Sequence, residues 1–118
     1  MYNKNLGQQG EQLVENYLME KGYKILDRNY QKKTGEIDLI AMNPKNDEIV
    51  FIEVKTRKSN TFGNPEEAVD PRKLKKIEKT VLLWLMENNK TELHYRIDII
   101  SLELKGKMQI THLENVTL

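Results

Sequence analysis

Ile49-Val50-Phe51-Ile52-Glu53-Val54-Lys55 begins as an unbroken apolar run and ends on an acid and a base. A strand sends alternate side chains to opposite faces, so Ile49, Phe51, Glu53 and Lys55 share one face while Val50, Ile52 and Val54 share the other. Both faces start apolar, which predicts a strand covered on both sides, as in the interior of an α/β sheet. Glu53 and Lys55 then leave a dry core side by side, where an unpaired charge costs on the order of several kcal/mol. Either they pair with each other or they hold something. Fourteen residues separate Glu53 from Asp38, which follows a second strand-like pattern and shares a face with Glu36 and Ile40.

The flanking sequence supplies the rest of the fold. Upstream, Leu6, Leu13, Val14, Tyr17 and Leu18 recur at helical spacing from Leu6 to about Lys21, and Gly22 stops the helix. Gly7 and Gly10 fall on the apolar side of that helix, an expectation of close backbone approach to a sheet, and Glu11 lies at its border. Tyr23–Tyr30, Glu36–Met42 and Glu48–Thr56 read as three strands in an antiparallel meander, joined by short turn-rich connectors. Lys58–Val69 reads as a loop, with a turn of helix over Glu66–Val69. Asp70-Pro71 then looks like an N-cap and first helical residue. Leu74, Ile77, Val81, Trp84, Leu85 and Asn88 mark a second helix on the sheet. His94–Leu104 and Met108–Glu114 are two closing strands about the hairpin signal Lys105-Gly106-Lys107. A strand, helix, strand succession favours a right-handed crossover, so the third and fourth strands should be parallel neighbours in a mixed sheet flanked by helices. The expected organisation is a single α/β domain over residues 1–118 with the order α-β-β-β-α-β-β.

Composition bounds the function classes. Without cysteine, disulfides and thiolate metal sites are excluded. The first residues lack a signal-peptide profile and no apolar run nears the roughly 20 residues of a membrane span, so a cytoplasmic, non-membrane protein is expected. A net charge of +1 gives no global pull on a polyanion, so nucleic-acid binding must come from local clusters.

If register brings Asp38 beside Glu53, two carboxylates on adjacent strands form a hard-oxygen site suited to Mg²⁺ or Mn²⁺, to which the Val54 carbonyl can add. Lys55 would orient water or neutralise charge in the transition state of phosphodiester hydrolysis. Arg57, two residues beyond Lys55 on the same face, suits a phosphate. So does the basic stretch Arg72, Lys73, Lys75, Lys76, Lys79, in which Arg72, Lys76 and Lys79 share a face, although a solvated helix face balanced by Glu66, Glu67, Asp70 and Glu78 explains it equally. Phe62-Gly63 either stacks on a base or tucks over the core. Arg96 and Asp98 read as a structural ion pair, His94 and His112 as surface or strand-edge residues, and Trp84 and Met86 as packing.

Gly7-Gln8-Gln9-Gly10-Glu11, Arg28-Asn29, Gly35-Glu36-Ile37-Asp38-Leu39-Ile40, Phe51-Ile52-Glu53-Val54-Lys55-Thr56-Arg57, Phe62-Gly63, Lys73 and Arg96-Ile97-Asp98 follow one another along nearly the whole chain. In this order they resemble the YraN family of bacterial proteins, which are similar to Holliday junction resolvases in the PD-(D/E)XK endonuclease superfamily. The resemblance implies a restriction-endonuclease-like core, with Asp38 and Glu53 as metal-binding acids, Lys55 as the catalytic lysine and Glu11 as a further acid on the first helix. Ile37 stands where the superfamily's name has proline. The function so implied is a Mg²⁺- or Mn²⁺-dependent endonuclease acting on branched or structured DNA, working as a homodimer if it cuts symmetric junctions. Two rivals remain open: a nucleic-acid-binding or partner-docking module of the same fold with weak or no catalysis, and a purely structural Glu53–Lys55 ion pair.

Overall fold

The computed structural model describes residues 6–57, 70–104 and 106–116. The expected loop Lys58–Val69, with Phe62, Gly63 and the turn of helix over Glu66–Val69, and Lys105 of the last hairpin signal lie outside them. Helix α1 runs Leu6–Glu20, followed by strands β1 (Lys24–Lys32), β2 (Gly35–Asn43) and β3 (Glu48–Arg57), helix α2 (Pro71–Glu87), and strands β4 (Tyr95–Glu103) and β5 (Gln109–Leu113). The strands form one sheet in the order β1-β2-β3-β4-β5. Pairing is antiparallel except between β3 and β4, which are parallel as the crossover argument requires. This is the helix-flanked mixed sheet and element order expected of a restriction-endonuclease-like core. No described helix is long and apolar enough to cross a membrane.

Local sequence accounts for the helix ends. Gly22, at φ +89°, closes α1 with its N–H on the Met19 carbonyl (2.9 Å) while Tyr23 N–H reaches the Leu18 carbonyl (3.0 Å), the paired bonds of a Schellman cap. Asp70 caps α2 by accepting the Arg72 N–H at 2.8 Å, and Pro71 follows in the first turn, where its missing N–H costs nothing. Asn88 belongs to the far cap of α2, not to its apolar stripe.

The two faces of β3 enter separate cores. Ile49 and Phe51 pack with Ile37, Ile40 and Ile97 under Leu74, Ile77, Val81, Trp84 and Leu85 of α2. Val50 and Ile52 pack with Leu39, Ala41, Ile100 and Leu102 under Val14 and Leu18 of α1. A strand buried on both faces is what the unbroken run at 49–52 requires. Gly10 is buried against β3, where an added Cβ would lie 1.9 Å from Thr56 Oγ1, but Gly7 is exposed, so only one of the two glycines serves close approach. Trp84 packs as expected and also donates its indole N–H to Asp27 (3.0 Å), whereas Met86 is 62% exposed and packs no core.

Candidate functional site

Asp38 lies where β2 leaves regular pairing on both sides. The β2–β3 ladder begins at Leu39↔Ile52, one step short of the position that would set Asp38 across from Glu53. In place of a backbone carbonyl, the Asp38 carboxylate accepts the Val54 N–H at 2.7 Å. On the other side, Arg28↔Leu39 and Tyr30↔Ile37 are paired, and Asn29, which would face Asp38, takes φ +49°, a left-handed conformation asparagine tolerates better than most residues. Alternation breaks with it: Ile37 joins Ile40 in the α2-side core although odd and even positions should part. The strands thus splay at the acid, and the side chain satisfies the backbone donor that the splay exposes.

A cavity of about 300 Å³ opens there, bounded by Gly35, Glu36 and Asp38 of β2, Glu53 of β3, and Lys73, Lys76 and Ile77 of α2. Glu53 Oε1 receives two ammonium groups, Lys73 Nζ at 2.7 Å and Lys55 Nζ at 3.3 Å. Glu53 and Lys55 do pair, and a third charge completes the set. Burial pushes the Asp38 carboxyl up to about 7; the Val54 N–H opposes this, and the charges of Glu53, Glu11 and Glu36 add to it. Glu11, half-buried on α1, is raised likewise by burial and then by Glu36 and Glu53, so its carboxyl belongs to the same field. Burial, then Lys73, lowers the pKa of Lys55. For Lys73 burial acts downward too, but the bond to Glu53 and the charges of Glu53 and Asp38 outweigh it and the pKa is raised.

Glu11, Asp38, Glu53, Lys55 and Lys73 are therefore brought into one electrostatic neighbourhood, with Val54 holding Asp38 and Lys76 on the cavity wall. Arg57 stands at the end of β3, its carbonyl accepting the Leu104 N–H (2.8 Å), and does not bound the cavity. Arg72 is exposed on α2. The helical-face argument grouped Arg72, Lys76 and Lys79 and missed the contact of Lys73 with Glu53. The signal was present, since Lys73 precedes buried Leu74 and lies four residues before Ile77, at the border of the apolar stripe.

A second polar cluster lies on the α1 side of the sheet. Asp98, fully buried, accepts Arg96 Nε (3.0 Å), the Asn115 N–H (2.9 Å) and His112 Nε2 (2.7 Å). An ionised Asp98 can only accept, so Nε2 carries a proton, while Nδ1 lies 3.0 Å from the Tyr17 hydroxyl in a hydrogen bond. Burial would raise Asp98, but the bonds from His112, Arg96 and Asn115 prevail and lower it. Arg96 also reaches Glu48 (2.8 Å), Tyr23 (2.8 Å) and Glu114 (3.3 Å). The Arg96–Asp98 pair is structural as expected. His112 sits on the edge strand β5 but is not a surface side chain: it is 9% exposed, fixed between Asp98 and Tyr17. Among the described residues, Asp98, His112 and Glu114 are the group whose ligand atoms lie within 4.8 Å of one another, and Glu11, Asp38 and Glu53 do not gather as tightly. Arg96 already pairs with both acids of the first group, Asp98 and Glu114.

A profile of "Uncharacterised protein family UPF0102" matches residues 10–102. A UPF0102 protein of Syntrophomonas wolfei is 45% identical over 114 residues, covering 96% of this chain and 97% of that protein. One of Alkaliphilus oremlandii is 46% identical over 116 residues, covering 96% and 97%. Among solved structures, a chain of the EndoMS–dsDNA2 complex is 18% identical with a TM-score of 0.43, over 82% of this chain and 37% of that one. Pyrococcus furiosus SfsA in complex with Ca²⁺ is 15% identical with a TM-score of 0.32, over 96% and 64%. Likenesses that distant carry no argument about activity, but the profile and the near full-length relatives do settle kinship: the chain belongs to the uncharacterised protein family UPF0102, the YraN family of the sequence resemblance.

Proposed function

We propose that the protein is a metal-dependent nuclease that hydrolyses phosphodiesters of branched or structured DNA, with Mg²⁺ or Mn²⁺ held by Asp38 and Glu53. The observation that carries this is the splay of β2 from β3 at Asp38, beside a cavity lined by the acids Glu36, Asp38 and Glu53 and by Lys73 and Lys76. The donor set fits a small hard cation: carboxylate oxygens from two strands, the Val54 carbonyl nearby in sequence, and no sulfur or imidazole. Such an ion, when bound, supplies Lewis-acid polarisation of the phosphodiester and acidifies water.

The chain's own groups do the rest. Asp38 is oriented by the Val54 N–H, which takes Oδ2 and leaves Oδ1 for the cation. Lys55, on the face of β3 that carries Glu53, donates to a non-bridging oxygen and offsets charge that builds in the transition state. Glu11 adds negative charge from α1 that a cation relieves. Lys76 and Arg72 on α2, with Arg57 at the end of β3, take flanking phosphates. Two copies would be needed to cut a symmetric junction, so the working form is a homodimer.

The binding-module reading has its own motive, since Lys55 and Lys73 already neutralise Glu53 and the three acids do not gather closely. Cleavage of labelled four-way, flap, single-stranded and duplex DNA in Mn²⁺ separates the two. Wild type is expected to cut a branched substrate and Lys55→Ala to lose at least about a hundredfold in rate while keeping affinity. Binding without cleavage by wild type would transfer the assignment to the nucleic-acid-binding module.

A further inference from the structure

Two ammonium groups on one carboxylate oxygen are not held alike. Lys55 rises from the same strand as Glu53 and is 25% exposed, whereas Lys73 reaches over from the first turn of α2 and is 43% exposed. The backbone beneath Lys73 is fixed, because Asp70 caps the helix at Arg72 and Leu74 is buried. Movement of Lys73 is therefore a matter of side-chain rotamers. A divalent ion on Glu53 sits about 2.1 Å from oxygen. Both ammonium groups lie on Oε1, so an ion that takes that oxygen, alone or together with Oε2, cannot keep them at hydrogen-bond distance without setting like charges within about 4 Å in a partly desolvated site. One lysine must withdraw, and Lys73 has the solvent and the room, since the cavity it bounds is the one Lys76 lines one turn further along α2.

We propose that Lys73 is an internal counter-cation of Glu53 that a divalent ion displaces, and that the displaced ammonium becomes a phosphate ligand in the cavity beside Lys76. The inference rests on the metal-nuclease reading and adds a coupling to it. Metal uptake frees a phosphate donor, and a phosphate draws Lys73 off Glu53. Each ligand therefore raises affinity for the other, by the same factor in both directions. Lys73 is on this account a positioning residue for two ligands.

Calorimetric titration of Mn²⁺ into wild type, Lys73→Met and Lys73→Gln, without DNA, reads the first half. Both variants are expected to bind Mn²⁺ about tenfold more tightly than wild type. Lys76→Met removes the same charge from the same cavity without freeing Glu53 and should change affinity by less than about threefold. Anisotropy of a labelled four-way junction in EDTA and in Ca²⁺ reads the second half: Ca²⁺ strengthens binding by wild type several-fold more than by K73M, which keeps only the ion's own contact with the phosphodiester. Mn²⁺ affinity in K73M equal to or below wild type, or a Ca²⁺ gain in K73M as large as in wild type, overturns the displacement and leaves the metal site standing. Absence of Mn²⁺ binding in every protein overturns the nuclease reading, and this inference with it.

Discussion

Asp38 shows how one side chain can be useful to the backbone and costly as a charge. Its carboxylate caps the Val54 N–H, yet burial and three neighbouring acids hold its pKa at about 7, well above the ordinary value of 3.8. Between those values the folded chain keeps a proton that the unfolded chain has lost, so stability falls as pH rises. Urea unfolding in EDTA at about pH 5 and about pH 7.5 should therefore show wild type losing stability relative to Asp38→Asn, which keeps an acceptor for Val54 and has no charge to bury. Parallel behaviour of the two proteins would refute the assignment. Sequence placed an acid at 38. It did not say that the acid would be desolvated and crowded, because that depends on burial in the fold and on Glu53 and Glu11 arriving from other elements to join Glu36 of the same strand.

Among the elements, α1 is positioned by the one glycine that touches the sheet. Alanine is the better helix former by about 1 kcal/mol, so propensity alone favours Gly10→Ala. Packing opposes it: the new Cβ would meet Thr56 Oγ1 at 1.9 Å and Thr56 Cβ and Cγ2 at 3.1 and 3.2 Å, so turning the hydroxyl away does not clear the contact. Gly10→Ala is expected to destabilise by about 1–3 kcal/mol and Thr56→Ala to restore part of that loss. Additive effects in the double-mutant cycle would mean that α1 and β3 do not meet there. Helix α2 teaches a related lesson. Its N-cap and apolar stripe were legible, apart from Asn88, which belongs to the far cap, but a helical projection could not tell which border lysine would find an acid. Lys73 reaches Glu53 while Lys76 lines the same cavity, a difference set by how α2 docks on the sheet.

At the scale of the molecule, the Asp98 network joins elements that local hydrogen bonding does not. Through Asp98, Arg96 and His112 it ties β4 to β3, to β5 and the segment after it, to Tyr17 of α1 and to Tyr23 beyond the α1 cap. Removing the acid leaves a guanidinium and an imidazole without their shared partner in a mostly buried place. Asp98→Ala should cost about 3–5 kcal/mol of unfolding free energy. His112→Ala, which leaves Asp98 its bonds to Arg96 and Asn115, should cost less. If Asp98→Ala unfolds at the wild-type urea concentration, the network is not what holds β5 and α1 to the sheet.

The sequence by itself determined the seven elements, their order, the two-sided burial of β3 and the parallel pairing of β3 with β4. These follow from periodicity, caps and chain connectivity, which are local or nearly so. It also placed Glu53 and Lys55 on one strand face, because a strand leaves no other arrangement. Tertiary structure decided what those charges meet: Lys73 on Glu53, Val54 on Asp38, Asn29 turned left-handed across from it, and His112 drawn in from the edge strand to Asp98. Asn29's conformation apart, each is a contact between residues distant in the chain, fixed by sheet register and helix docking. A shift of one residue in either would have turned the same side chains to another face.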